Sequence, residues 1–194
     1  MNRLELRAQF QDILNRTDCS EDQADKFLDF GLRRSERVLR TPLQKQLLDY
    51  PIPEGYPEYI TVPAGYLGLE WLRINGYSPR RISPANSCDD GFWFEKGQIH
   101  FRPAIAEGDT IRLSYYAETS LDAGDDEEVS PTSISIPDVI IYAALVFAAD
   151  TFVDERKQSW KDTLKELIAE VQDMSDRDSL VQGVISNPYT EGSF

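Results

Sequence analysis

Residues 139–153, VIIYAALVFAADTFV, place apolar side chains on nearly every side of a helix. Such a helix persists only where neighbouring elements cover it all round. Pro137 and Asp138 precede it and suit the first turn, where a missing amide proton costs nothing and an acid faces the positive end of the helix dipole. The rest of the chain must therefore supply the cover.

Three other stretches carry the helical period that could do so. Asn2 followed by Glu5 has the form of a helix start, and Leu6, Phe10, Ile13 and Leu14 then share one face. Residues 15–19 break the pattern. Ser20 and Gln23 form a capping-box sequence ahead of Ala24, Phe27, Leu28, Gly31, Leu32, Ser35, Val38 and Leu39, a stripe that predicts a longer helix stopping at Thr41-Pro42. Gly31 in its middle costs about 1 kcal/mol relative to Ala, which points to a close approach by another helix. After Asp154 the pattern becomes amphipathic. Trp160, Leu164, Leu167, Ile168 and Val171 line one side, opposite Lys157, Lys161, Asp162, Lys165 and Glu166, and this predicts a fourth helix ending near Met174. Residues 179–194 show no helical period and are expected to extend from the body.

Between the helical pairs the character changes. Over residues 43–117, Pro and Gly become dense and β-branched and aromatic residues gather in short runs. Strands are expected at 59–62, 67–74, 80–82, 92–95, 98–101 and 110–116, with turns at Asn75-Gly76, Lys96-Gly97 and Glu107-Gly108-Asp109, as an antiparallel meander. Ile111, Leu113 and Tyr115 alternate with Thr110, Arg112, Ser114 and Tyr116, giving that strand one buried and one wet face. The expected fold is α+β. A four-helix core, two helices from residues 1–42 and two from 137–176, carries an inserted antiparallel β-rich region at 43–117. An acidic loop at 118–136 and an extended C-terminal tail at 177–194 complete it.

The chain carries 34 acids against 20 bases, a formal charge of −14, and so opposes tight binding of phosphates. The amino terminus is charged and amphipathic, and no stretch reaches the roughly 18 apolar residues of a membrane span. A soluble, unprocessed chain is expected. Cys19 and Cys88 stand far apart, which suggests neither a disulfide framework nor a zinc ligand pair and fits a reduced, intracellular setting. No nucleotide-binding, P-loop or zincin motif occurs, and His100 lies in a predicted strand without a nucleophile elbow nearby. No catalytic residue, metal ligand or cofactor is assigned.

Four surfaces remain as candidates. Arg33, Arg37 and Arg40 fall on one helical stripe, with Arg34 beside it; they could bind an acidic partner, or complement the carboxyl end of the helix and pair with Glu36. The run 118–134 holds Glu118, Asp122, Asp125, Asp126, Glu127 and Glu128 with no base and reads as an exposed loop, its spacing unlike a calcium loop. Tyr50, Tyr56, Tyr59, Tyr66, Trp71, Tyr77 and Trp93 suit sheet packing, with carbohydrate binding through Trp71 and Trp93 as the alternative function. Asp89, Asp90 and Glu95 near Trp93 are the carboxylates a hydrolase would have to use.

The segments ADKFLDFGLRRSERVLR, ITVPAGYLGLEWLRINGYSPRRISP and IYAALVFAADTFVDERKQSWKDTLKELIAEV, in the order helices, β insertion, helices and tail, resemble the bacteriophage head-to-tail adaptor family, especially adaptors of short-tailed phages. The resemblance implies a virion structural protein, made in the host cytoplasm, that assembles as a dodecameric ring beneath the portal and contacts tail or nozzle proteins. DNA would pass through without specific binding, and no membrane is involved. Arg33, Arg34, Arg37 and Arg40 would then form ion pairs between subunits. Asp122, Asp125, Asp126, Glu127 and Glu128 would line a channel or its rim. Val181, Val184, Ile185, Tyr189 and Phe194 would anchor the tail to the portal, by strand addition to a partner's edge.

Overall fold

The computed structural model describes residues 1–50, 52, 58–84, 89–119 and 126–185, with 178–185 given by backbone alone. Contacts divide the chain into a helical unit, Met1–Gln44 with Thr119–Phe194, and a β unit, Lys45–Glu118.

In the helical unit, α1 (Arg3–Leu14) and α2 (Glu21–Val38) both begin at the capping boxes read from the sequence. Asn2 Oδ1 accepts from the Glu5 amide at 2.9 Å while Glu5 returns a carboxylate to the Asn2 amide at 3.0 Å, and Ser20 and Gln23 repeat the exchange. Each box satisfies amides that the helix itself cannot. A short α3 (Pro131–Ser135) precedes α4 (Pro137–Phe152), and α5 (Lys157–Ile185) closes the unit. As its composition requires, α4 is central, packed against α1, α2, α3 and α5. Val139, Ile140, Ala144, Leu145 and Ala148 are buried, and each large aliphatic contributes about 1.5–3 kcal/mol by leaving water. Gly31 meets the expectation placed on it: a Cβ there would lie 2.5 Å from the Ile140 carbonyl oxygen and 2.9 Å from the Ala144 nitrogen.

Val153 ends α4 in the left-handed region at φ 53°, and Asp154 opens the turn into α5. The Asp154 carboxylate accepts from the Arg156 side chain at 2.7 and 3.0 Å and from the Arg156 amide at 2.9 Å. Chiefly through the guanidinium, these hold the carboxyl at about 2, below its ordinary 3.8. A carboxyl held low in the folded chain adds stability above its ordinary value, and that stability is lost as pH falls through the folded value. Acid titration of the unfolding midpoint is expected to show a loss between 3.8 and about 2 that Asp154→Asn diminishes. An unchanged profile in the variant would contradict this.

Three expectations for this unit are corrected. The stretch read as an exposed acidic loop ends in α3, because Ser130 and Ser133 cap each other and Pro131 supplies the first turn; Ser130, Thr132 and Ser133 are buried. The second helix stops at Val38, three residues before Thr41-Pro42, with Leu39 extended. The last helix runs on from Met174 to Ile185, since no proline interrupts the sequence before Pro188.

The β unit holds β1 (Lys45–Tyr50), β2 (Tyr59–Thr61), β3 (Tyr66–Ile74), β4 (Gly91–Glu95), β5 (Gln98–Arg102) and β6 (Ile111–Ala117). They form two antiparallel three-stranded sheets, ordered β1-β6-β3 and β2-β5-β4, rather than one meander. Among the described strands, only the β4–β5 hairpin joins sequence neighbours within a sheet, through Lys96 and Gly97 at φ 49° and 76°. Asn75-Gly76 turns the chain as expected, with the Ile74 and Tyr77 amides each donating to the other's carbonyl, at 2.8 and 2.9 Å. The expected strand at 80–82 reduces to a bridge between Arg81 and Phe92. The two sheets share one core, to which Ile60, Phe92, Ile99 and Phe101 contribute from one and Leu72, Ile111, Leu113 and Tyr115 from the other. Ser114, expected on the wet face, is buried and donates to Glu70 at 2.6 Å.

Candidate functional site

Burial of Ala24, Phe27, Leu28, Gly31, Leu32 and Ser35 turns the opposite side of α2 outward. That side carries Lys26, Phe30, Arg33, Arg34, Arg37 and Val38, all exposed. Asp25 and Asp29 lie off it, drawn towards α1 by arginines. The outer face is thus basic in a chain whose net charge is −14. Phe30 meets Phe147 of α4 at 5.6 Å with the rings tilted by 49°, and the Arg34 guanidinium lies 5.6 Å from the Phe147 ring. Arg33 makes no ion pair or side-chain hydrogen bond among the described residues. Arg40 differs from the other three. Its guanidinium donates to the carbonyls of Glu36, Arg37 and Leu39 at 2.8, 3.1 and 2.9 Å, which terminates the helix and satisfies its carboxyl end.

Two buried polar clusters were not visible in the sequence. In the first, Arg3, fully buried, pairs with Asp29 at 2.7 Å and Asp25 at 3.5 Å. Arg7 donates to both oxygens of Asp25 at 2.9 and 3.0 Å and also pairs with Asp126. Hydrogen bonding to Asp25, joined by Asp126, outweighs the desolvation that opposes charge and raises the Arg7 guanidinium above its ordinary value. Asp126, one of the residues assigned to an acidic channel, is therefore tied to α1, and its carbonyl also accepts from the Leu4 amide at 3.0 Å. Glu127 is exposed and Glu128 half-buried, while Asp122 and Asp125 lie outside the described residues.

The second cluster centres on Glu36, which is wholly buried although Arg33, Arg34 and Arg37, its neighbours in sequence on α2, are exposed. Its carboxylate accepts from the Thr119 amide at 2.9 Å, from the Thr119 hydroxyl, and from the Thr132 hydroxyl at 2.9 Å. Its carbonyl accepts from Gln44 at 3.1 Å. Gln44 and Thr119 are the residues at which the chain leaves and re-enters the helical unit, so one glutamate holds both.

On α5 the residues Trp160, Leu164, Leu167, Ile168 and Val171 face the core as expected. Asp162, Glu166, Glu170 and Asp173 stand exposed on the other side. Val181, Val184 and Ile185 lie on the helical backbone of its last turns; Tyr189 and Phe194 fall outside the described residues.

In the β unit the paired positions Tyr59, His100 and Trp93 cross adjacent strands, with His100 stacked on Trp93 at 5.1 Å and 12° and tilted by 44° against Tyr59 at 5.5 Å. His100 thus covers one face of Trp93. Trp71 is covered by Arg73 at 4.7 Å, and Tyr66 stacks on Tyr115. Asp89, Asp90 and Glu95 are exposed; Asp89 pairs with Arg80 and Glu95 accepts from the Trp93 indole at 3.4 Å. Among the described residues no group of three His, Cys, Asp or Glu is placed to hold a metal, and no helix is long and apolar enough to cross a membrane.

The fold is α+β, and in its helical unit buried polar groups join helices while exposed charge lies on helix faces. The chain belongs to the SU10 adaptor protein family, whose model matches residues 1–186. Membership gives it a structural, head-to-tail adaptor role in a phage virion. Comparison with curated proteins returns no match.

Proposed function

We propose that the protein is a subunit of a ring, a dodecamer, that sits beneath the portal of a phage particle, continues the DNA channel and receives tail or nozzle proteins. The family match over residues 1–186, spanning both the helical and the β unit, carries this reading. The tightly packed helical unit suits a rigid building block, and the basic outer face of α2 suits lateral contact between acidic subunits. Exposed carboxylates, Glu127 among them, would keep a channel from holding DNA, because like charge repels phosphates over a Debye length of about 10 Å.

In this reading the carboxyl-terminal segment, with Val181, Val184, Ile185, Tyr189 and Phe194, docks on the portal. Deleting residues 180–194 is expected to abolish co-sedimentation with portal rings of the same phage while leaving the unfolding midpoint near that of the full chain. Equal retention of the truncated protein would overturn the docking role.

A further inference from the structure

Two helix faces of this chain are complementary to one another. On α2 the exposed residues Lys26, Phe30, Arg33 and Arg37 follow the spacing i, i+4, i+7, i+11. On α5 the exposed residues Asp162, Glu166, Ala169 and Asp173 follow the same spacing. Each set forms a stripe about 16 Å long at 1.5 Å per residue. Laid antiparallel, the stripes bring Lys26 to Asp173, Phe30 to Ala169, Arg33 to Glu166 and Arg37 to Asp162. The reverse direction would set Phe30 against Glu166 and Arg33 against Ala169. Within one chain the two stripes cannot meet as helix partners, because α4 packs against both α2 and α5 and both stripes face solvent.

We infer that the outer face of α2 on one copy pairs antiparallel with the outer face of α5 on a second copy. This rests on the ring reading and supplies its lateral contact. Because the two faces belong to different helices, every subunit offers one of each and the contact passes from copy to copy until a ring closes. Phe30, 49% exposed, gives the contact an aromatic anchor beside Arg34, the combination in which interface energy concentrates. The outer pairs have intrahelical competitors: Asp162 accepts from Gln158 at 3.0 Å and Lys165 at 3.2 Å, and Asp173 pairs with Arg177 at 2.6 Å. The central pair has none, since neither Arg33 nor Glu166 makes an ion pair or side-chain hydrogen bond among the described residues.

Charge exchange at that central pair is the test. Wild type, Arg33→Glu, Glu166→Arg and the double variant are each mixed with portal rings of the same phage, and the adaptor copies retained are counted by mass. Both positions are exposed, so unfolding midpoints of the variants should stay near wild type. Each single exchange replaces an attraction by a repulsion at every lateral contact and is expected to lower retained copies about tenfold. The double variant is expected to recover wild-type retention. Single variants that assemble like wild type, or a double variant no better than the singles, would overturn the pairing while leaving the ring reading intact. Wild type that adds no ring to the portal would overturn both.

Discussion

Replacement of Gly31 by leucine is expected to prevent the helical unit from reaching its native packing. The Cβ alone would lie 2.5 Å from the Ile140 carbonyl oxygen, 2.9 Å from the Ala144 nitrogen and 3.1 Å from the Ala144 Cβ. Two of these atoms are backbone of α4, the most deeply buried helix, and cannot turn aside as a side-chain tip would. Relief requires moving α2 away from α4 and opening contacts made by Phe27, Leu28 and Leu32. Gly31→Ala gains about 1 kcal/mol of helix propensity but is still expected to lose about 2 kcal/mol net, since overpacking of a filled core costs typically 1–3 kcal/mol or more. Leucine adds three further carbons in the same direction, and its loss should exceed 4 kcal/mol, enough to unfold many domains of this size. Urea unfolding followed by circular dichroism reads both variants. An alanine variant more stable than wild type would contradict the close approach.

Glu36→Ala is expected to lower stability by about 3 kcal/mol, because a half-buried amide and hydroxyl and one buried hydroxyl lose their shared acceptor inside the helical unit. The three donors are the Thr119 amide, the Thr119 hydroxyl and the Thr132 hydroxyl. Glu36→Gln keeps the shape and one acceptor oxygen and should lose about half as much. Hydrogen exchange offers a local readout: the Thr119 amide should exchange faster in the alanine variant than in wild type, beyond the change in global stability. A loss below about 0.5 kcal/mol would mean that the cluster does not secure the chain where it re-enters the helical unit.

What the sequence disclosed and what it withheld divide along sequence distance. Capping boxes at Asn2 and Ser20, the burial of α4 and the role of Gly31 depend on patterns within a few turns, and each was readable. The Arg7 to Asp126 pair spans 119 positions, so the acidic run looked uniformly solvated when one member is tied to α1. Glu36 likewise looked like a partner for its neighbouring arginines. Its hydroxyl partners lie 83 and 96 positions away, and nothing local announces them. In the β unit the turns were legible because Asn75, Gly76, Lys96 and Gly97 adopt positive φ. Strand partners were not, since β6 joins β1 and β3 across the whole β4–β5 hairpin. β1 itself, KQLLDY, has no β-branched residue to mark it. The basic stripe of α2 was visible as a pattern, but the capping role of Arg40 needed coordinates, because it depends on the chain turning extended at Leu39.

The proposed assembly of this adaptor on the portal is tested most directly by mass measurement of the intact protein, alone and mixed with portal rings of the same phage. A complex of one defined mass, equal to the portal plus a closed ring of adaptor subunits, is the expected result. Portal rings whose mass does not change in the presence of excess adaptor would contradict it.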